Sequence, residues 1–258
     1  MQASSQKNEP EKQRFKEQAP VLCASTVSKQ FLRDGHGTNV FPAVKEASLT
    51  LLPGQFVVLN GRSGSGKTTL LNILAGLLEP TTGQVTVRIR DDASVDQEPF
   101  DLYALSDEAR SSVRGAHFGI IPQSAGAVGT LTVYENILLP YTLNGITAPD
   151  PTVPENASQL ASRLGIAALL NEYPSALSGG ELRRMAIARA LIRKTDIIFA
   201  DEPTGDLDEE NTKLVFELLR EASDNGTAVL MATYEPAAAA YADLMFRMDG
   251  GVIRPEVP

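Results

Sequence analysis

Residues 61–68 read Gly61-Arg62-Ser63-Gly64-Ser65-Gly66-Lys67-Thr68, and the segments on either side decide how the octet is read. An almost continuous apolar run over residues 55–60 leads into it, as in a buried strand. After it, Leu70, Leu71, Leu74, Leu77 and Leu78 recur at helical spacing over residues 67–78, until Pro80 and Gly83 force a turn. Strand, glycine-rich loop and helix is the order of a phosphate loop. Consecutive backbone N–H groups in such a turn surround phosphate oxygens, and the following helix aims its positive end at them. Gly61, Gly64 and Gly66 permit the close approach because they carry no side chain. Lys67 is placed for the β and γ phosphates and the Thr68 hydroxyl for a magnesium ion, with Arg62, Ser63, Ser65 and Thr69 completing the candidate cradle.

Downstream, residues 196–202 read Asp196-Ile197-Ile198-Phe199-Ala200-Asp201-Glu202, an apolar strand closing on two acids. A carboxylate at the end of a buried strand is costly unless a cation or hydrogen bonds receive it, which assigns Asp201 to magnesium. Glu202 points away from its neighbour and is the candidate for polarising an attacking water. The plainer alternative, that both acids open a solvated turn and cap the next helix, is opposed by Pro203-Thr204-Gly205, which holds them at a strand end.

Between loop and acids stands Leu177-Ser178-Gly179-Gly180-Glu181. Ser178 precedes a helix expected to start near Glu181 and suits an N-cap. A helix N-terminus with two glycines is also an anion site, and capping and binding are compatible. The chain's own nucleotide already has a phosphate loop, so this second site is expected to meet a second nucleotide.

The rest of the chain alternates in the same manner. Strands are expected over residues 21–28, 43–52, 84–90, 117–121, 196–200 and 227–232, and helices over 101–114, 133–144, 155–164, 166–172, 181–193 and 210–222. A Pro-rich loop at 148–154 interrupts the middle helices, which read as a separate lobe. Strands alternating with helices imply a parallel sheet covered on both faces. No internal repeat is present, and a single cassette of two lobes over residues 21–258 is the economical reading.

Composition narrows the partners. The chain has 258 residues, 43% of them hydrophobic, enough for one sizeable α/β domain with elaborations. A net charge of -9 argues against sequence-independent attraction to nucleic acid. Cys23 is the only cysteine, so neither an intramolecular disulfide nor a cysteine-based zinc cluster can form; it is expected to pack as a small apolar side chain in a strand. Residues 1–20 are polar, contain no core of a secretion signal and are expected to form a disordered tail. Nowhere do about 18 consecutive apolar residues occur, so a membrane, if involved, must be spanned by another chain.

In combination these motifs resemble the ATP-binding subunits of ABC transporters, from about residue 21 to the C-terminus. The segments Asn72-Ile73-Leu74-Ala75-Gly76-Leu77, Leu131-Thr132-Val133-Tyr134-Glu135-Asn136 and Glu202-Pro203-Thr204-Gly205-Asp206-Leu207-Asp208 are similar to the branch of lipoprotein-releasing, macrolide-exporting and cell-division ATPases. The resemblance implies an α/β fold, a P-loop NTPase with a mostly parallel RecA-like core sheet, an N-terminal antiparallel β subdomain and an α-helical subdomain inserted at about residues 124–180. It implies ATP and Mg2+ as ligands, a second ATP-binding subunit and a membrane-spanning permease subunit as partners, and a peripheral place on the cytoplasmic face of the cell membrane. Phe31 falls where an aromatic ring stacks on adenine, with Phe41 as its rival. Gln123 falls where a glutamine touches magnesium and couples to the membrane subunits, and Asp206 and Asp208 lie in a loop reaching across the dimer. Ser178, Gly179, Gly180 and Glu181 of one subunit then seal the site of the other, while Lys67, Gln123, Glu202 and the residue at position 234 serve catalysis. An alternative in another class is a slow ATP-gated clamp or signalling subunit that regulates a membrane or cell-wall partner without moving solute. A soluble ABC protein of DNA repair or translation would call for a coiled-coil insertion, tandem cassettes or a basic face, none of which the sequence contains.

One position departs from the family pattern. After the strand expected at 227–232, relatives carry a histidine that contacts the γ-phosphate; this chain reads Thr233-Tyr234-Glu235. Its two histidines, His36 and His117, both precede Gln123, in the wrong half of the fold, and His117 is expected in a strand beside Phe118. Pro122, where relatives tend to have Phe, stiffens the glutamine loop. A phenol donates a hydrogen bond, but with a reference pKa of about 10 it cannot supply an imidazolium's charge near neutral pH. Exchanging a charge-assisted hydrogen bond for a neutral one slows turnover by about tenfold to a hundredfold. Tyr234→His is therefore expected to raise the steady-state ATPase rate; no gain in the histidine variant contradicts the reading.

Overall fold

The structure, a computed structural model, describes residues 15, 18–32, 40–89, 98–143 and 151–256. Most of the expected polar tail, His36, Arg90, the acidic stretch at 91–97, Asn144 and the first part of the Pro-rich loop lie outside the described residues. In chain order the elements are β1 (Leu22–Leu32), β2 (Val40–Leu51), β3 (Phe56–Asn60), α1 (Lys67–Leu74), β4 (Thr82–Val87), β5 (Phe100–Asp101), α2 (Asp107–His117) and β6 (Phe118–Ile121). Helices α3 (Val133–Thr142), α4 (Val153–Arg163) and α5 (Gly179–Leu191) follow, then β7 (Ile197–Asp201), α6 (Glu209–Asp224), β8 (Ala228–Thr233), β9 (Leu244–Asp249) and β10 (Val252–Glu256).

Strands β2-β1-β4-β5 make an antiparallel sheet, and β10-β9-β3-β8-β7-β6 a second sheet that is parallel except for the β9–β10 pair. The α/β architecture expected from the sequence is thus observed, with the antiparallel part at the N-terminal end. The period of two in a strand divides the parallel sheet between two cores. Val57, Leu59, Ile197, Phe199, Leu230 and Phe246 face α1 and the antiparallel sheet; Phe56, Val58, Ile198, Ala200, Val229 and Met231 face α5 and α6. Burial on both faces is why β3, β7 and β8 read as unbroken apolar runs.

Local chemistry moved several boundaries. The helix expected at 101–114 begins at Asp107 because Ser106 caps it, accepting the Ala109 N–H at 3.2 Å, while Phe100 and Asp101 pair with β4. His117 consequently ends a helix rather than sitting in a strand, and its Nδ1 lies 2.9 Å from Asp196 Oδ2. Helix α1 stops at Leu74, where Gly76 turns the chain at φ 69°. Helical structure at 166–172 is only a single 3-10 turn, Ala167–Leu169, and α4 begins two residues before the expected start, with Pro154 in its first turn. Besides the short β5, two strands were not expected at all, β9 and β10, joined through Gly250 (φ 52°) and Gly251 (φ 86°). The signal was present as short apolar-rich runs on either side of the turn residues Asp249-Gly250-Gly251.

The arrangement fixes where chemistry can occur. The glycine-rich loop leaves the carboxyl end of β3, residue 234 follows β8, Glu202 follows β7 and Gln123 follows β6, and these strands are successive neighbours. Their registers pair Asn60 with Thr233, Asp201 with Ala232 and Ile121 with Ala200, so four segments far apart in sequence meet along one sheet edge.

Candidate active site

The glycine-rich loop is pressed from two sides. A Cβ at Gly61 would collide with the carbonyl of Met248 on β9, and one at Gly66, where φ is 109°, with the carbonyl of Ala43 on β2. Gly64 (φ 77°) faces open space instead. The β9–β10 turn pins the loop further: Gly251 donates its N–H to the Ser65 carbonyl at 3.0 Å and accepts that of Lys45 at 2.8 Å. Backbone is therefore held rigid behind the loop and left open in front, the condition for amides to converge on an anion. The Ser65 hydroxyl is buried without a hydrogen-bond partner.

Lys67 lies in this cradle, 6% exposed, donating from Nζ to the Gly61 carbonyl at 2.6 Å and the Arg62 carbonyl at 3.3 Å. Its ammonium is 3.3 Å from Glu202 Oε1. Glu202 has φ 46°, in the left-handed region that non-glycine residues rarely adopt, and is held there by its N–H on the Ala232 carbonyl (2.8 Å) and by the Gly205 N–H on its own carbonyl (3.2 Å). Its other carboxylate oxygen accepts the Tyr234 N–H at 3.3 Å. Tyr234 thus reaches Glu202 through its backbone, and its phenol is 64% exposed.

Asp201, 3% exposed, ends β7 beside α1. Burial pushes its carboxyl above the usual range, against the opposing pull of a hydrogen bond from the Thr68 side chain. Among the described residues its Oδ1 has no hydrogen-bond partner. Thr68, Asp201 and Gln123 line one cleft of about 400 Å3 together with Leu71, Asn72 and Pro122. An orphaned carboxylate oxygen, a hydroxyl and an amide are the oxygen donors that a small, hard divalent cation takes, so these residues fit Mg2+.

The serine-glycine segment lies at the start of α5 and is satisfied within itself. Ser178 accepts the Glu181 N–H at 3.4 Å, and the Glu181 carboxylate accepts the Ser178 N–H and hydroxyl, each at 2.7 Å. This capping box starts the helix at Gly179, two residues before the expected start. Gly179 faces open space, and a Cβ at Gly180 would sit 3.4 Å from the Asp206 carbonyl. Asp208 caps α6, accepting the Asn211 N–H at 2.8 Å, which holds its carboxyl below the usual range. Phe31 and Phe41 are direct cross-strand partners, each 39% exposed, so the two rival rings share one place on the antiparallel sheet. Lys29 Nζ stands 5.5 Å from the Phe31 ring centroid. Cys23, partly buried in β1, lies with Sγ 3.9 Å from Thr50 Oγ1.

Sequence reasoning missed the residues that support the site from outside its motifs. Ala43, Met248 and Gly251 carry no chemistry of their own, and only the tertiary fold brings their backbone to the loop. Arg183 was hidden inside an ordinary helical run. It is 7% exposed, and its guanidinium donates to the Pro122 carbonyl at 2.8 Å.

A phosphate loop, a strand-end acid pair and a glycine-rich helix start on one parallel sheet define a nucleotide-hydrolysing cassette. The profile of the ABC transporter family matches residues 44–205, and the chain belongs to that family. It is 39% identical over 219 residues to the lipoprotein-releasing system ATP-binding protein LolD of Maricaulis maris, covering 84% of this chain and 90% of the relative. It is 38% identical over 218 residues to the macrolide export ATP-binding/permease protein MacB of Syntrophobacter fumaroxidans, covering 83% of this chain but spanning only 29% of that longer relative. Among solved structures, the dimeric ATP-binding cassette MJ0796 bound to ADP and Pi is similar with a TM-score of 0.80 and 28% identity, over 91% of this chain and 97% of that one. The protein is accordingly an ATPase of the ABC family. Among the described residues no helix is long and apolar enough to cross a membrane.

The state of Asp201 is open to a direct check. A carboxyl whose pKa is raised by folding contributes stability below its ordinary range and loses it as pH rises through the folded value. At pH 7, above the ordinary carboxyl range, the buried Asp201 thus destabilises the metal-free protein, and Asp201→Asn is expected to raise its melting temperature, with the gain vanishing on acidification. A lower melting temperature for the variant at pH 7 contradicts this electrostatic account.

Proposed function

We propose that the chain, as a cassette over residues 21–258 with a helical subdomain at about 124–180, closes on ATP against a second ATP-binding subunit and drives a membrane-spanning partner from the cytoplasmic face. The observation that carries the reading is the meeting of Lys67, Glu202 and Asp201 at one edge of the parallel sheet, with the Ser178–Glu181 cap complete and Gly179 facing open space. In the free chain Lys67 and Glu202 neutralise one another. Phosphate entering the loop competes for the Lys67 ammonium and releases the Glu202 carboxylate, which its strained backbone and the Tyr234 amide keep at the strand end. Glu202 then accepts a proton from the attacking water. Thr68, Asp201 and Gln123 would hold Mg2+, which when bound would offset the charge that develops on the phosphates. Phe31, with Phe41 beside it, offers a stacking face for the adenine.

The dimeric state of MJ0796 supports a partner cassette whose Ser178, Gly179 and Gly180 present amides to the γ-phosphate, with Asp208 nearby. A groove of about 590 Å3 between α2, α3, α5 and β6 supports the membrane partner. Ile120 and Pro122 line both this groove and the nucleotide cleft, so displacement on one side is felt on the other. Whether the work is export, lipoprotein release or mechanical transmission belongs to that partner. The exposed Tyr234, which hydrogen-bonds Glu202 through its backbone N–H, favours slow turnover and so keeps an ATP-gated clamp as a second reading.

Glu202→Gln is expected to lower ATP hydrolysis by about a hundredfold or more while ATP binding persists, so that an ATP-dependent dimer accumulates in size-exclusion chromatography. A variant that binds ATP but remains monomeric contradicts closure around the nucleotide.

A further inference from the structure

Arg183 is a buried guanidinium in an unusual position. It projects from α5, five residues after the Ser178 cap, and among the described residues no carboxylate lies within ion-pair distance of it. Burying a charge without an ion partner is costly, so the groups that receive it are informative. One is the Pro122 carbonyl, at 2.8 Å from Nη1, which belongs to the residue immediately before Gln123. The turn after Glu202 lies beside the guanidinium, where a Cβ on Gly205 would be 3.8 Å from Nη2. The same helix holds the far side of the glutamine loop: Arg189 donates to the carbonyls of Ala125 and Gly126, each at 2.8 Å. Gln123 and Ser124 therefore hang between two fixed points, both on α5, and both residues line the nucleotide cleft.

We propose that Arg183 is a positioning residue for ATP hydrolysis, which ties the Gln123 loop to the helix that begins at Ser178. This rests on the ATPase reading above. When the Ser178 cap engages a nucleotide held by the partner cassette, α5 cannot shift without carrying the Pro122 carbonyl with it, and Gln123 follows. Arg183 touches neither phosphate nor metal; it sets where Gln123 stands when the cleft closes. Its side chain also adds positive charge near Asp201, which is itself short of hydrogen bonds.

The tether and the charge are separable by substitution. Arg183→Gln retains an N–H donor for the Pro122 carbonyl and discards the charge, whereas Arg183→Met fills similar volume with neither. We expect Arg183→Met to lower kcat about tenfold with the Kd for a fluorescent ATP analogue within twofold of wild type, because the phosphate loop is untouched. Arg183→Gln is expected to keep kcat within about threefold. In a Gln123→Ala background, Arg183→Met is expected to add little, since both changes act through one group. The proposal is overturned if Arg183→Met keeps the wild-type kcat, if Arg183→Gln is as slow as Arg183→Met, if the two losses multiply in the double variant, or if kcat, nucleotide affinity and melting temperature fall together. Should Arg183→Met fail to fold, Arg183→Leu takes its place in each of these comparisons. An inactive wild type overturns the ATPase reading itself and is distinguished from all of these.

Discussion

The register of three buried parallel strands is the constraint on which the rest depends. Strands β3, β8 and β7 are covered on both faces, and a slip of one residue would turn every side chain to the wrong core. That locked register sets Asn60 beside Thr233 and Ala232 beside Asp201, and so brings Lys67 and the Tyr234 amide each within 3.3 Å of the Glu202 carboxylate. The site is an edge effect of the core. Apolar packing, not attraction between the polar groups, delivers Lys67 and Asp201 to places where they are nearly out of water.

Those placements are costly in the free chain, and the cost is functional. Asp201 lacks a partner for one oxygen, the Ser65 hydroxyl lacks one altogether, and Glu202 sits in a left-handed backbone conformation. The two unpartnered oxygens are of a kind that a phosphate or a metal can make good. Strain and orphaned groups gathered at one strand end mark a site prepared for a ligand rather than one optimised for stability. The Lys67–Glu202 pair fits the same logic, since it satisfies two charges until a stronger partner for the lysine arrives.

Much of this was legible in the sequence because the motifs are local. The phosphate loop, the acids after β7 and the cap at Ser178 are each a few contiguous residues whose spacing carries their geometry. What remained hidden was whatever acts across the fold. Met248 and Ala43 meet the loop through carbonyls, which any residue type supplies, and Arg183 looks like any polar position on a helix. Boundaries shifted where a single side chain decided them, as Ser106 did for α2 and Gly76 for α1. The rivalry of Phe31 and Phe41 dissolved only when register made them neighbours, which no count of apolar residues would reveal.

The central claim is that the Ser178 cap of one chain completes the Lys67 site of another. Lys67→Ala and Ser178→Arg chains should each be inactive alone. Mixed as purified proteins, they can form a dimer in which one site joins an intact loop to an intact cap. The ATPase rate of the mixture tests this directly: activity that reappears on mixing is the predicted result, and a mixture as inactive as its components, or full activity in Ser178→Arg alone, contradicts the account.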